Sequence, residues 1–304
     1  MKKLFRKALI VFAFVAGTTA AFAQHQLPQL PTDPQVRIGK LDNGLTYYIR
    51  HNALPKKQAE FYIAQKVGSI LENDNQRGLA HFLEHMCFNG TKHFPGNTLR
   101  EYLETIGVKF GANLNAYTSI DETVYNISDV PVIREGIIDS CLLILHDWAD
   151  DLLLEPKEID KERGVIHEEW RTRNGAMLRM YDSAFPKMLS NSKYAYRLPI
   201  GLMEVVDNFP YQVLRDYYEK WYRPDQQGII VVGDIDVDQI EAKIKALFSP
   251  IKMPENAAKR EYASVPNNKE TIISISKDKE QQANTVYVFH KHEPFPEEQK
   301  NTIA

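Results

Sequence analysis

Two histidines stand four residues apart in Gly78-Leu79-Ala80-His81-Phe82-Leu83-Glu84-His85-Met86, with a glutamate between them. On a helix, positions i, i+3 and i+4 share one face, so His81, Glu84 and His85 can point into one site. Two neutral imidazoles on one helical face supply half of a tetrahedral zinc site. Glu84 is too close in sequence to be a third ligand. It is placed instead to take a proton from a water that the metal activates. The competing reading is a surface helix with two solvated histidines. Ala80, Phe82, Leu83 and Met86 make the segment too apolar for that.

Such a site needs a third ligand, and residues 155–173 can provide it. Glu155-Pro156-Lys157-Glu158 places a proline at a helix start. Ile159, Ile166 and Trp170, spaced seven and four apart, define the buried stripe of that helix. Glu162 and Glu169 fall on the same stripe, whereas Glu168 turns onto the face of Lys161, Val165 and Thr172. A carboxylate on a buried stripe is costly unless it is paired, hydrogen-bonded or bound to a metal. Glu169 can complete the ligand set, and Glu162 can orient a ligand histidine or the metal's water. The alternative is that both pair with nearby arginines such as Arg163 or Arg171.

The elements that must hold these residues follow from the pattern around them. Residues 36–40 and 45–50 predict a hairpin around Asp42-Asn43-Gly44, and 59–67 a third strand rich in aromatic and β-branched residues. The polar run from Glu72 to Arg77 predicts a loop before the histidine-bearing helix, which Asn89-Gly90-Thr91 ends. A helix over 98–106, paired strands over 114–119 and 122–128, and a long amphipathic helix over 131–148 come next. Further on, a helix over 211–221, a buried strand over 227–232 and a helix from about Asp236 are expected. That strand-turn-helix lacks G-x-G-x-x-G, so it is no nucleotide site. Residues 250–268 are polar and proline-bearing, a linker in composition, and 270–276 and 284–290 predict two more strands.

The first 23 residues are expected to be a signal peptide. Lys2, Lys3, Arg6 and Lys7 precede a short apolar run from Ala8 to Gly17, and Ala21-Phe22-Ala23 is an A-x-A cleavage site. The run is short for a membrane span, so the expectation is export, most simply to the periplasm, with no transmembrane anchor after cleavage. Cleavage removes four positive charges and no negative ones, moving the formal net charge from -3 to -7. That balance, without a basic patch, argues against a nucleic-acid partner. Cys87 and Cys141 each lie in an apolar, helix-like segment and are expected to be buried free thiols rather than a disulfide.

These motifs together resemble the pitrilysin/insulinase family of zinc metallopeptidases, whose H-x-x-E-H motif reverses the thermolysin pattern. The similarity covers nearly all of residues 36–250. It rests on Leu41-Asp42-Asn43-Gly44-Leu45, the 78–86 segment, Leu114-Asn115-Ala116-Tyr117-Thr118, Lys161-Glu162-Arg163-Gly164-Val165-Ile166-His167-Glu168-Glu169, Tyr222-Arg223-Pro224 and Val231-Val232-Gly233-Asp234-Ile235. The resemblance implies an α+β fold, a mostly antiparallel sheet with helices packed on one face, followed by the start of a second similar domain. It implies His81, His85 and Glu169 as ligands of one zinc, Glu84 as general base and Glu162 as supporting acid. It matches Asn115, Ala116 and Tyr117 to a substrate-binding edge strand, where an extended peptide adds by main-chain hydrogen bonds. The implied domains are catalytic residues 24–255, then 256–304 as a linker and the opening strands of a truncated homologous domain. The implied activity is an exported zinc endopeptidase acting on peptides or unfolded polypeptide. In the family, homologous domains close a chamber and a later half supplies an arginine and a tyrosine near the substrate. This piece is therefore expected to need C-terminal domains in cis or a partner subunit in trans. The alternative is a non-catalytic peptide-binding or assembly subunit, which the intact site residues disfavour.

Overall fold

Alternation of apolar and polar residues builds the sheet. In β3 (Gln58–Gln65) Ala59, Phe61, Ile63 and Gln65 are buried while their neighbours are half-exposed, and in β6 (Gln227–Gly233) Ile229 and Val231 are buried in the same way. The computed structural model describes residues 33–134 and 136–292, so the leader expected over residues 1–23 lies outside the described residues. With β1 (Val36–Lys40), β2 (Thr46–His51), β4 (Leu114–Thr118) and β5 (Thr123–Pro131), the strands form one sheet in the order β1-β2-β6-β3-β5-β4. Every pairing is antiparallel except β2 with β6. The fold is thus α+β with a mostly antiparallel sheet.

Eight α-helices are described: α1 (Leu79–Met86), α2 (Thr98–Thr105), α3 (Ile137–Asp150), α4 (Pro156–Arg173), α5 (Ala176–Met188), α6 (Met203–Asn208), α7 (Tyr211–Trp221) and α8 (Val237–Phe248). Helix α3 packs on β3, α8 on β2 and α1 on β4, and α1 also meets α4 and α7. Between them lies a core that includes Phe61, Phe82, Tyr125, Trp148, Tyr217 and Phe248. Polar pins cross it: Trp148 Nε1 donates to the Cys87 carbonyl at 2.9 Å, and Gln227 Nε2 to the Ala149 carbonyl at 3.0 Å. Cys87 and Cys141 are both buried and free.

Three expectations need correction. The long helix expected from residue 131 starts only at Ile137, because β5 continues to Pro131 and the left-handed Gly136 (φ +87°) turns the chain into the helix. Residues 174–210, which carried no expected element, hold α5 and α6; the former contains Pro186, which obscures a helical pattern. The strands expected over 270–276 and 284–290 are not formed. Both stretches lack regular secondary structure, and Ile273, Ile275, Val286 and Val288 are exposed. A strand needs a hydrogen-bonded neighbour, and no strand of the sheet pairs with them.

Candidate metal centre

Helix α1 begins at Gly78 in the left-handed region (φ +107°), a conformation that glycine adopts without strain. Its apolar residues Leu79, Phe82, Leu83 and Met86 enter the core, and His81 and Glu84 are buried with them. Helix α4 opens on Pro156 and buries Ile159, Glu162 and Ile166, with Glu169 and Trp170 half-buried. The two helices pack together, bringing the two imidazoles and the two stripe carboxylates to one place.

One oxygen of Glu169, Oε2, lies 3.5 Å from His81 Nε2 and 3.3 Å from His85 Nε2. The three donors all lie within 4.8 Å of one another. Zinc–ligand distances of about 2.0–2.1 Å set tetrahedral donors about 3.3–3.4 Å apart, so this spacing fits a zinc ion between them. The chemistry fits as well, two imidazole nitrogens and one carboxylate being the donor set of hydrolytic zinc centres. His85 Nδ1 lies 2.7 Å from Glu162 Oε1, which keeps the proton on that nitrogen and turns Nε2 toward the site. The second oxygen of Glu162 accepts from Asn89 Nδ2 at 2.7 Å. The other oxygen of Glu169 pairs with Arg173 Nη1 at 2.8 Å. His81 Nδ1 is buried without a hydrogen-bond partner.

The arginines expected as rival partners go elsewhere. Arg163 pairs with Asp160 at 3.3 Å and donates to the carbonyls of Val206 and Phe209, and Arg171 pairs with Glu168. Glu168 therefore lies on the outer face of α4, away from the histidines.

The electrostatics of the metal-free site follow from this packing. Burial lowers the His81 pKa to about 4, with the charge of His85 adding to the effect. Burial also pulls on His85, but hydrogen bonds to Glu162 and Glu169 outweigh it and raise that pKa to about 9. The His85 hydrogen bond lowers the pKa of Glu169 against the opposing effect of burial. Without metal, His85 is therefore protonated at neutral pH and its second proton faces Glu169. A zinc ion held between these residues would displace that proton. Zinc affinity is expected to rise with pH up to about 9 and then level, with proton release below that pH. Titrations in buffers of different ionisation enthalpy check this; proton-free binding at neutral pH contradicts it.

Glu84 shares the α1 face with the histidines. Burial raises its pKa, opposed by a 2.5 Å hydrogen bond in which Thr118 Oγ1 donates to Glu84 Oε2. Thr118 ends β4, so the sheet edge and the candidate base are joined directly. Sequence patterning marked Thr118 only as a strand residue. β4 is an edge strand of the sheet; it pairs along its length with β5, and a bridge from Phe110 reaches its first residue, Leu114. Asn115, Ala116 and Tyr117 lie along it, with Tyr117 half-exposed and its hydroxyl donating to Glu122 Oε1 at 2.8 Å.

A second group of metal-type side chains, His93, Asp147 and Asp151, lies apart from these residues. It is satisfied internally: Asp147 accepts from Thr91 Oγ1, from the His93 amide and from the His93 ring, and Lys92 bridges Asp151 at 3.2 Å.

A sheet edge beside two helices that present two imidazoles, a carboxylate in contact with both and a second, hydrogen-bonded carboxylate is an arrangement of the metallohydrolase class. The family model for insulinase (peptidase family M16) matches residues 47–203, and that for the peptidase M16 inactive domain matches 208–302. The chain belongs to the insulinase family, peptidase family M16. It is 39% identical over 262 residues to the probable zinc protease PqqL of Escherichia coli, covering 86% of this chain and 28% of that protein. The crystal structure of the first half of the periplasmic protease PqqL from Escherichia coli superposes with a TM-score of 0.73 at 41% identity, covering 80% of this chain and 51% of that one. Pitrilysin shares the fold, with a TM-score of 0.65 at 22% identity over 80% of this chain and 25% of that one. The match to this chain spans 26–28% of the length of three curated zinc-protease relatives.

Proposed function

We propose that the chain carries the catalytic centre of an exported zinc endopeptidase that acts on extended peptides or unfolded polypeptide. The observation that carries this reading is the convergence of His81, His85 and Glu169, one Glu169 oxygen lying 3.5 and 3.3 Å from the two imidazole nitrogens, with Glu84 held on the same helix by Thr118. His81, His85 and Glu169 would hold one zinc, which supplies a Lewis acid and lowers the pKa of a water to about 7. Glu162 keeps the His85 ring oriented with Nε2 toward the site. Glu84 accepts the proton of the attacking water as the carbon–oxygen bond forms. It then delivers that proton to the amide nitrogen as the carbon–nitrogen bond breaks, so it ends the cycle unprotonated. The open edge of β4 at Asn115–Tyr117 offers main-chain groups to an extended substrate, which would lie across the sheet edge next to Glu84.

Residues 24–255 form the catalytic part in this reading, and 256–304 lead into further family domains, in cis or as a partner subunit. The greater length of the relatives supports further domains beyond this part, and the M16 inactive-domain match starts at 208, within it. The basic, apolar and A-x-A leader supports export, as does the periplasmic relative. No helix among the described residues is long and apolar enough to cross a membrane.

The test is cleavage of a quenched, unstructured peptide by the full-length protein. Turnover abolished by a chelator and restored by zinc is the expected result. A zinc-loaded protein that binds the peptide and leaves it uncut would overturn the reading in favour of a peptide-binding subunit.

A further inference from the structure

Glu72 is a buried carboxylate that the proposed chemistry does not use. Its exposure is 0%, and no salt bridge reaches it among the described residues. Its two oxygens are divided between two backbone groups: Oε2 accepts from the Gly78 N–H at 3.1 Å, and Oε1 from the Ala80 N–H at 2.9 Å. These amides open α1, where N–H groups have no partner inside the helix. Burial pushes the Glu72 pKa up to about 8, and the bonds from Ala80 and Gly78 oppose that rise. Ala80 is the residue before His81.

Glu72 is itself held in place. Arg197 Nε donates to its carbonyl at 3.2 Å, and Ser69 Oγ donates to the Arg197 carbonyl at 2.6 Å. The same segment closes on the helix start from another side. The Leu202 amide donates to the Arg77 carbonyl at 3.3 Å, and a Cβ on Gly201 would fall 2.3 Å from Gly78 Cα. The first turn of α1 is therefore gripped between the Glu72 carboxylate and the turn at residues 197–202. Rotation or sliding of that turn would move His81 Nε2 off Glu169 before it moved His85, which Glu162 holds separately.

We propose that Glu72 is a positioning residue for the metal, fixing the backbone from which His81 projects. This rests on the reading of His81 and His85 as ligands. Glutamine at position 72 keeps the size but offers one acceptor oxygen for two N–H groups, and its amide nitrogen faces one of them as a second donor. Glu72→Gln is expected to weaken zinc binding by about 10- to 100-fold, the usual effect of losing a group that orients a ligand. A purely stabilising carboxylate would lower the melting temperature and leave the zinc affinity of the folded protein alone.

The experiment is zinc affinity by chelator competition, at a temperature where every variant is folded. Leu142→Ala, which hollows the core on α3, is the control for lost stability. The proposal expects weakened zinc binding in Glu72→Gln and unchanged binding in Leu142→Ala. Unchanged affinity in Glu72→Gln, or equal weakening in both, overturns it. Should Glu72→Gln fail to fold, Glu72→Asp carries the same measurement: it keeps the carboxyl group but shortens the reach by one methylene, and it is expected to weaken binding severalfold. Unchanged affinity in Glu72→Asp would then overturn the proposal. His81→Ala separates the two levels. Unchanged zinc binding there overturns the ligand assignment and the proposal with it, whereas loss there beside a normal Glu72→Gln overturns the positioning role alone.

Discussion

Glu84→Gln is expected to keep its zinc and to lose peptide hydrolysis by about 100- to 10,000-fold, the range for removal of a general base. The substitution is nearly isosteric. The glutamine carbonyl can still accept from Thr118 Oγ1, so the side chain stays where the 2.5 Å bond now holds it. Only the proton acceptor is removed, and no metal ligand is touched. Burial already raises the Glu84 pKa, and the Thr118 hydrogen bond opposes that rise. Thr118→Ala should therefore raise it further. The reaction needs the carboxylate form, so the acid limb of kcat/KM is expected to move to higher pH in Thr118→Ala and to vanish in Glu84→Gln. The measurement is the pH profile of turnover with zinc content determined on the same samples. Near-normal turnover in a zinc-loaded Glu84→Gln variant would show that Glu84 is not the base.

The second large effect concerns the ligands. His81→Ala, His85→Ala and Glu169→Gln are each expected to lower zinc affinity by at least about 100-fold. Zinc binding free energies of about 10–16 kcal/mol spread over four donors give on the order of 3 kcal/mol per ligand. Glu168→Gln is expected to change nothing, because Glu168 pairs with Arg171 on the outer face of α4. The neighbouring glutamates make a close control, since adjacent residues of one helix differ in the face they occupy. Zinc content on the four variants decides the assignment, and equal losses from Glu168→Gln and Glu169→Gln would sink it.

Much of this centre was legible in the sequence because helical periodicity is local. The spacing of His81, Glu84 and His85 sets their common face, and the stripe of Ile159 and Ile166 carries Glu162 and Glu169 inward. Both faces follow from 3.6 residues per turn, whatever the tertiary fold. Contacts made across the fold were not legible. Thr118 meets Glu84 only because β4 packs on α1, and Glu72 reads as one more polar loop residue until the chain folds it under the first turn of α1. Arg173 follows Glu169 by four residues, a spacing at which helical side chains meet, so that pair was open to a sequence reading that considered Arg163 and Arg171 instead. Strand propensity misled where it lacked a neighbour. Residues 270–276 and 284–290 are β-branched and apolar, yet no strand of the sheet accepts them. Propensity describes a residue's fit to a pleated, half-buried surface, and these stretches have none to fit.

The central claim is that one zinc lies between His81, His85 and Glu169, within reach of Glu84. Anomalous scattering at the zinc absorption edge, from crystals of the zinc-loaded protein, tests it most directly. One strong peak is expected, bonded by His81 Nε2, His85 Nε2 and a carboxylate oxygen of Glu169. A peak held by His93, Asp147 and Asp151, with none at the α1–α4 contact, would contradict it.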